Sequence, residues 1–310
     1  MSHAVCICLL ILFTFFSNAD AGDVLETEAD AQFRFAEQYF SDQAYDRAVA
    51  EYERFIFFFP KDSRVPQAMY QTGLSYFESK DFIKALTAFS QLPDKYGNTA
   101  FSMTDFPAKA YFMISECYLK LNDPGQAVSN LRNLLALSND RNIQDECFYR
   151  IGWIYIETSS WDKANEYFGK ISPENKDRYR LETLTAELNK SDSIPLKNPS
   201  ATGILAIFPG AGFLYCNRYQ DALTAFLLNA GLMYAAYEAF DKENYALGGL
   251  ITFAELGFYA GSIYGSVTAA HKYNRARTQG FIEELKQNAK VVLSAGYENS
   301  GAMIAFRYSF

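Results

Sequence analysis

The feature that most constrains the fold of this chain is an internal repeat between residues 29 and 180. In each of four segments a small residue is followed three positions later by Tyr, twelve later by Ala, and sixteen later by an aromatic residue or Leu. The small residues are Ala36, Gly73, Ser115 and Gly152, and the alanines are Ala48, Ala85, Ala127 and Ala164. A fixed period of this length predicts stacked copies of one supersecondary unit, because no single copy can bury its own apolar face.

The signature resembles that of the tetratricopeptide repeat, in which each copy is a pair of antiparallel helices. The copies start at Ala29, Pro66, Ala108 and Asp145, so that they are 37, 42 and 37 residues apart. The resemblance implies an all-α solenoid of helical hairpins, with about four repeats, over residues 22–187. The small residue and the alanine let the two helices approach closely, and neighbouring copies bury the remaining faces. The resemblance specifies an architecture and no particular function.

The N-terminal segment, residues 1–21, predicts a secretory signal peptide. Its apolar core runs from Ala4 to Phe16, too short to span a bilayer comfortably, and Ala19-Asp20-Ala21 supplies a small-residue cleavage site. An uncleaved anchor is the alternative, because the segment ahead of the apolar core carries little positive charge. Repeats behind an export signal are similar to tetratricopeptide proteins of the bacterial cell envelope, although this chain lacks the lipid-bearing cysteine of the outer-membrane assembly lipoproteins.

Composition and motifs exclude several classes of partner and site. The 310 residues carry a net charge of −8 with no basic stripe outside Lys272–Arg277, so a nucleic-acid partner is not expected. Cys117, Cys147 and Cys216 show no disulfide-framework spacing and predict buried small hydrophobic residues. The sequence has two histidines, no nucleophile motif, no phosphate-binding loop and no metal-ligand spacing. We therefore expect no enzyme activity, no cofactor and no metal site.

The first helix of each repeat is expected to line a concave groove. Its fifth position is aromatic in all four copies, and carboxylates and apolar residues flank the rings. The predicted partner-binding residues are Phe33, Glu37, Phe40, Tyr70, Leu74, Phe77, Phe112, Glu116, Tyr149 and Trp153. Such a surface suits a protein or peptide segment that is apolar with some positive charge. The alternative is that the rings only pack between neighbouring helices.

A polar linker containing two prolines, residues 188–200, separates the repeats from an apolar region over 201–272. This region opens with a short segment, Ala201–Tyr215, that is interrupted by a turn. The turn residues are Pro209, Gly210 and Gly212. They weakly resemble the turn of small two-helix bacterial membrane proteins, and glycine here lets two apolar helices reverse direction closely.

Two longer apolar segments follow, Asp221–Phe240 and Tyr245–Ala270. At 1.5 Å per residue each is long enough to cross a bilayer. We predict a transmembrane helical hairpin within a three-segment bundle, in contact with membrane lipid. A buried soluble bundle is the alternative, disfavoured because both segments are apolar all round.

Polar and glycine residues mark the faces of these two segments. Asn229 and Glu255 lie at nearly equal distances from the intervening loop, so an antiparallel hairpin brings them to one depth as an intramembrane polar pair. Glu255 is either a protonated partner of Asn229 or a functional residue. Gly257, Gly261 and Gly265 form a ridge suited to close helix packing, within the chain or in a homo-oligomer.

Charges at the ends of the long segments predict an orientation. Arg218 and the residues Lys272, Arg275 and Arg277 flank one end, which the positive-inside rule assigns to the cytoplasm. That orientation requires Ala201–Tyr215 to cross the membrane as a short first span.

Within the tail, residues 273–310, the stretch Lys290–Phe310 ends with large apolar residues at every second position, namely Ile304, Phe306, Tyr308 and Phe310. This period of two predicts a short β-hairpin around Glu298–Gly301. Its alternation would matter only in the periplasm, which argues against a cytoplasmic C-terminus.

These features predict an exported, membrane-anchored scaffold whose repeats bind another envelope protein or peptide segment. The repeats are expected in the periplasm, the anchor in the inner membrane, and the role in envelope assembly or complex organisation. The alternative is a component of a membrane transport or insertion assembly in which Glu255 is functional.

Overall fold

The computed structural model describes residues 21–96 and 106–295, with side chains described within 28–96 and 106–289. Regular structure in these ranges is entirely helical. The repeats supply α1 (Ala21–Ser41), α2 (Tyr45–Phe58), α3 (Val65–Glu78), α4 (Phe82–Tyr96), α5 (Phe106–Lys120), α6 (Pro124–Leu137), α7 (Arg141–Glu157) and α8 (Trp161–Gly169). The later helices are α9 (Leu181–Leu188), α10 (Pro199–Leu205), α11 (Ala211–Tyr215), α12 (Tyr219–Asp241) and α13 (Tyr245–Ala295), with 3-10 turns at Pro173–Asn175 and Asn189–Ser193.

The chain divides into two compact units. The first comprises the described parts of Met1–Ile154 and Glu166–Asn175, which hold three repeats and most of the fourth. The second comprises Tyr155–Asn165 and the described part of Lys176–Phe310, which hold the turn of the fourth repeat and all helices from α9 onward. The predicted domain boundaries stay predictions, and α13 runs without interruption through the one at residue 272.

Each repeat packs through its signature residues. The alanines of the second helices, Ala48, Ala85, Ala127 and Ala164, are fully buried. A methyl group added to Gly73 would lie 2.6 Å from Cδ1 of Phe89, and one added to Gly152 would overlap the ring of Phe168. The ring sixteen positions along therefore fills the space that the missing side chain leaves free. The predicted repeat architecture is confirmed.

The two helices of every repeat are joined by the same tight turn. Its central residue has a left-handed backbone in each copy, with φ between 56° and 66°: Gln43, Lys80, Asn122 and Ser159. The next N–H donates to a carbonyl five residues back, as from Ala44 to Tyr39 at 2.9 Å. This Schellman-type closure satisfies carbonyl groups at the end of the first helix. The second unit uses the same turn at Asn217 and Glu243.

In the second unit, α12 and α13 form an antiparallel hairpin that buries only small or polar side chains. Between residues 219 and 270 the buried positions are Ala222, Asn229, Ala236, Ala239, Gly248, Glu255, Ser262, Ser266, Ala269 and Ala270. A methyl group on Gly248 would lie 2.8 Å from Cε1 of Phe240. The two helices are thus close enough that a larger residue at this position would push them apart.

The chain that precedes α12 runs along α13 and returns. Lys197 and Asn274 are joined by two backbone–side-chain hydrogen bonds of 2.7 and 2.8 Å. Further along, the hydroxyl of Tyr259 donates to the carbonyl of Ile207 at 2.8 Å. After the turn, Cys216 packs back against the α13 residues 269–270. The segment therefore starts and finishes at the same end of the apolar part of α13.

This re-entrant course overturns the predicted short first crossing by Ala201–Tyr215. The seven residues of α10 span about 10 Å at 1.5 Å per residue, a third of a bilayer core. Gly210 then reverses the chain with φ of 87°, and a side chain on it would overlap the carbonyl of Ala222. The physical reason is that a glycine in a left-handed conformation ends one helix and starts another in a new direction.

The predicted C-terminal β-hairpin is wrong. The described residues contain no strand, and 290–295, which belong to the stretch predicted to form the hairpin, are the last six residues of α13. The prediction failed because residues 290–295 continue α13 as a helix, and because an isolated two-stranded hairpin has little stability of its own. The rest of the tail, 296–310, and residues 1–20 of the predicted signal peptide, 1–21, lie outside the described residues.

One helix of the described chain is long and apolar enough to cross a membrane. It is Tyr245–Ala289, with a mean hydropathy of 1.3 over its most apolar stretch, of which 17% is buried. A core helix of a soluble protein is mostly buried, so the low burial separates this helix from that class. The sequence analysis expected two such helices, and α12 does not reach the same hydropathy.

Candidate functional site: the inner helices of the repeats and the apolar hairpin

The inner helices α1, α3, α5 and α7 carry the predicted groove residues. At the fifth position, Phe33 and Phe112 are 5% and 8% exposed. Phe33 packs edge-on against Phe55, with ring centroids 5.1 Å apart. Tyr70 and Tyr149 are half-buried. These contacts support the packing alternative for the fifth-position rings, because a buried ring offers a partner little surface.

The two tyrosines also pack on the second helix of their own repeat. Ring centroids are 5.4 Å apart between Tyr70 and Phe89, and 6.0 Å apart between Tyr149 and Phe168. Burial raises the pKa of Tyr70 to about 12, so its hydroxyl stays protonated at physiological pH.

The ninth and twelfth positions of the inner helices remain more accessible, except for the twelfth position of α7, Ile156, which is fully buried. Glu37 is exposed, while partial exposure is shared by Phe40, Leu74, Phe77, Glu116 and Trp153. Phe40 and Phe77 lean edge-on against the first aromatic residue of the following helix, at 5.6 and 5.3 Å. An accessible apolar strip flanked by carboxylates therefore runs along the inner helices at these positions.

Arg150 is a site residue that the sequence analysis missed. It is 7% exposed and forms ion pairs with Glu116 at 3.1 Å and Glu146 at 2.7 Å. Its guanidinium also lies 4.6 Å from the ring centroid of Phe112. Burial raises the pKa of Glu116, and the charge of Arg150 opposes that rise. The repeat signature gave no signal for this residue, since it lies one place beyond the aromatic position.

Arg64 forms a comparable cluster between the first two repeats. It is paired with Asp30 at 2.6 Å and Asp62 at 2.7 Å. Its guanidinium lies 5.2 Å from the Phe33 centroid and 5.3 Å from that of Phe55. The side-chain hydrogen bond from Arg64 lowers the pKa of Asp62. In both clusters an arginine thus lies over the fifth-position ring of the preceding repeat: Arg64 over Phe33, and Arg150 over Phe112.

The second helices carry a separate apolar patch. Phe57, Phe58 and Ile83 are all strongly exposed. Beside Phe57 lies an open groove of about 610 Å³, lined by Glu53, Ile56, Phe57, Met69, Gln91, Asp94 and Lys95. It offers a second surface that a protein partner could cover.

Reactive and metal-binding groups are lacking in the described part of the chain. Cys117, Cys147 and Cys216 are free and buried. Burial raises the pKa of Cys117 and of Cys147 to about 12, so both stay as unreactive thiols. No group of three His, Cys, Asp or Glu side chains is arranged to hold a metal ion within these residues.

Large apolar side chains cover the outside of the apolar hairpin, which we define as α12 and residues 245–270 of α13. Phe253 is 78% exposed and Tyr264 is 76% exposed. Other strongly exposed positions include Leu223, Phe226, Leu227, Tyr234, Tyr237, Leu250, Leu256 and Phe258. A contiguous apolar surface of this size on a soluble monomer would be unusual, because water disfavours it.

The predicted polar pair lies inside this hairpin. Asn229 is 1% exposed and Glu255 is 7% exposed. The amide of Asn229 donates to the carbonyl of Ala225 at 2.6 Å. Within the described residues no hydrogen bond joins Asn229 to Glu255, and Oδ1 of Asn229, Oε1 of Glu255 and Oγ of Ser262 have no partner.

The glycine ridge divides into two kinds of position. Gly257 and Gly261 have open space where a side chain would stand, whereas a methyl group on Gly265 would lie 2.9 Å from the ring of Phe213. In the turn, Pro209 is half-buried, and a methyl group on Gly212 would lie 2.7 Å from Cβ of Ser266. Gly212 and Gly265 thus serve contact between the re-entrant segment and α13.

Two family models match the repeats. One covers residues 67–99 and the other residues 108–141, and both describe the tetratricopeptide repeat. The chain therefore contains tetratricopeptide repeats. The repeat fold is a non-enzymatic scaffold for protein interaction, in agreement with the sequence analysis. No curated protein sequence matches this chain at a significant level.

Several solved structures are similar to this chain. A tetratricopeptide repeat protein from Parabacteroides merdae is 15% identical, with 84% of this chain and 99% of that one covered and a TM-score of 0.42. YrrB, a repeat protein with an unusual peptide-binding site, is 19% identical, with 74% and 96% covered and a TM-score of 0.34. A Rap protein in complex with competence and sporulation factor is 16% identical, with 77% and 65% covered and a TM-score of 0.37.

Proposed function

We propose that this protein is an exported scaffold, anchored in a bilayer by the apolar hairpin, whose repeats bind another envelope protein or peptide segment. The observation that carries the proposal is the inverted packing of the hairpin, with small and polar residues inside and large apolar ones outside. The repeats supply an interaction surface and the hairpin supplies the anchor.

Anchoring follows from the exposed apolar surface. Removing one Leu or Phe side chain from water contributes roughly 1.5–3 kcal/mol. More than a dozen large apolar side chains between residues 204 and 264 are exposed, so burying them in a bilayer gains far more free energy than the insertion of Asn229 and Glu255 costs. The 23 residues of α12 extend about 35 Å, enough to cross a hydrocarbon core.

Contacts within the second unit support a topology. The chain arrives from the repeats at Lys197, beside Asn274. Beyond Asn274, α13 continues to Lys286, which forms an ion pair of 2.6 Å with Glu157 at the end of α7. The repeats and the end of α13 would then share one side of the membrane. An export signal makes that side the periplasm, which is opposite to the side that the positive-inside rule predicted for Lys272, Arg275 and Arg277, because that prediction required Ala201–Tyr215 to cross the membrane. The inner membrane is the bilayer we favour.

Labelling of single cysteines in intact cells tests this topology. We expect Gln279→Cys to react with a membrane-impermeant maleimide and Lys242→Cys to react only after the cells are opened. The reverse pattern would place the repeats in the cytoplasm and contradict export. Labelling of both residues in intact cells would contradict anchoring by a transmembrane hairpin.

For the partner, the inner helices are the surface we propose. The strip at Leu74, Phe77 and Trp153 is accessible and lies beside Glu116, which suits an apolar segment that carries positive charge. A photo-crosslinker at Leu74 or Trp153 should capture a discrete envelope protein from intact cells, while one at Phe57 should not. Capture from Phe57 alone would assign binding to the second helices instead.

A second candidate function is supported by the unpartnered polar atoms inside the hairpin. Oxygens without a hydrogen-bond partner in an apolar environment are costly unless they hold a proton, a water molecule or an ion. A transport role predicts that Glu255→Gln and Glu255→Leu abolish function equally while the protein stays folded. A packing role predicts that Glu255→Gln is tolerated.

A further inference from the structure

We propose that one end of the apolar hairpin is a headgroup site for anionic phospholipids. Its charged members are Lys197, Lys272, Arg275 and Arg277, which we name the basic cluster. The rings of Tyr215 and Tyr273 complete the site. The inference rests on the membrane anchoring proposed above, and it adds which class of lipid surrounds the anchor.

The aromatic rings hold two of these cations in place. The ammonium of Lys197 lies 4.5 Å from the Tyr215 centroid and 5.6 Å from that of Tyr273. The guanidinium of Arg277 lies 5.2 Å from the Tyr273 centroid. Two hydrogen bonds between Lys197 and Asn274 fix the backbone around them. Cations over aromatic faces keep donors free for an incoming anion.

The basic cluster has no internal counter-charge. Elsewhere at the ends of the hairpin, Arg218 is paired with Asp221, and Lys242 is paired with Glu238 at 2.6 Å. No carboxylate lies within ion-pair distance of the basic cluster among the side chains that the structure describes. Lys272, Arg275 and Arg277 are exposed. The basic cluster therefore presents four positive charges that an external anion can pair with.

The position of the basic cluster identifies that anion. The exposed apolar surface of α13 ends near Tyr264, two turns before Lys272, and exposed Leu196 immediately precedes Lys197. Tyrosine and basic side chains at the border of an apolar span meet lipid headgroups. The other end of the hairpin, Asp241–Asn244, is net acidic. Phosphate groups of anionic lipid match the basic end alone.

The test measures lipid selectivity of the full chain in phosphatidylcholine vesicles, with spin-labelled phosphatidylglycerol or phosphatidylcholine as the probe. We expect about a fivefold stronger association with phosphatidylglycerol for each basic residue engaged, and a decrease in this preference at high salt. Lys272→Gln/Arg275→Gln should remove most of it, and Arg275→Gln alone should have an intermediate effect.

Lys61→Gln/Lys80→Gln is the matched control, because both residues are exposed in the repeats and Gln43 occupies the turn position equivalent to Lys80. It should keep the preference. Equal association with both probes, in protein that resists extraction by alkaline carbonate, would overturn this inference alone. Release of the wild-type chain by carbonate would contradict the proposed anchoring and the lipid site with it.

Discussion

The guanidinium of Arg150 lies 4.6 Å from the centroid of Phe112, so a cation of the fourth repeat covers the fifth-position ring of the third. Arg64 covers Phe33 of the first repeat at 5.2 Å in the same way. Both arginines are held by carboxylates, Arg150 by Glu116 at 3.1 Å. Two of the four rings expected to face a partner are therefore shielded by an ion-paired arginine.

The first prediction concerns this arginine. Arg150→Met should destabilise the full chain by roughly 2–4 kcal/mol, because Glu116 and Glu146 lose the cation that they share while remaining largely buried. Loss of Arg150 also removes a charge that lowers the pKa of Glu116, so the raised pKa of that carboxyl rises further. Denaturant unfolding in detergent measures the change.

The pH dependence of that variant gives a sharper test. A carboxyl whose pKa is higher in the folded than in the unfolded state destabilises the folded protein as the pH rises past the unfolded-state pKa. In acid, below that pKa, this destabilisation is absent. The destabilisation by Arg150→Met should therefore be smaller near pH 5 than near pH 7. In the double variant Arg150→Met/Glu116→Gln, the difference in destabilisation between pH 5 and pH 7 should be smaller. An equal loss at both pH values would contradict the coupling.

A second prediction separates packing residues from binding residues. Phe112→Ala should lower stability by roughly 3–5 kcal/mol, as expected for a buried ring. Leu74→Ala and Trp153→Ala should have smaller effects on the melting temperature and weaken partner capture by roughly 1–3 kcal/mol. Thermal melts run beside crosslinking yields distinguish the two. If the crosslinking yield of all three variants fell only in proportion to their loss of stability, partner binding by the apolar strip of the inner helices would be contradicted.

A third prediction concerns the contact between the helices of a repeat. Gly73→Ala should destabilise the protein by roughly 1–3 kcal/mol, because the new methyl group would lie 2.6 Å from Phe89. Gly169→Ala is the control, since its position has open space and an ordinary backbone conformation. It should be neutral or slightly stabilising. Equal melting temperatures for the two variants would contradict the packing described.

A fourth prediction tests the glycine ridge. Gly265→Leu should destabilise the hairpin by overlap with Phe213, whereas Gly261→Leu should leave a monomer intact because its position is open. If the ridge packs against a second copy, Gly261→Leu should abolish a dimer that the wild type forms. The molecular mass of the detergent-solubilised protein measures this. An unchanged mass for Gly261→Leu would exclude an oligomer through the ridge.

The repeats could be predicted from the sequence because their contacts are local. The pairs that close each copy, such as Gly73 with Phe89, are sixteen positions apart, and the turn between them is set by one residue such as Lys80. A short period of this kind leaves little freedom for a different arrangement. The apolar character of the later helices was likewise evident from composition and length.

Tertiary structure decided the rest. Hydrophobic pattern alone cannot tell a ring that fills a core from one that lines a groove, and only the packing of Phe112 under Arg150 separates them. In the same way, apolarity could not show that the segment before α12 returns along α13. That course depends on Gly210 and on contacts such as Lys197 with Asn274, 77 positions apart, which no local pattern encodes.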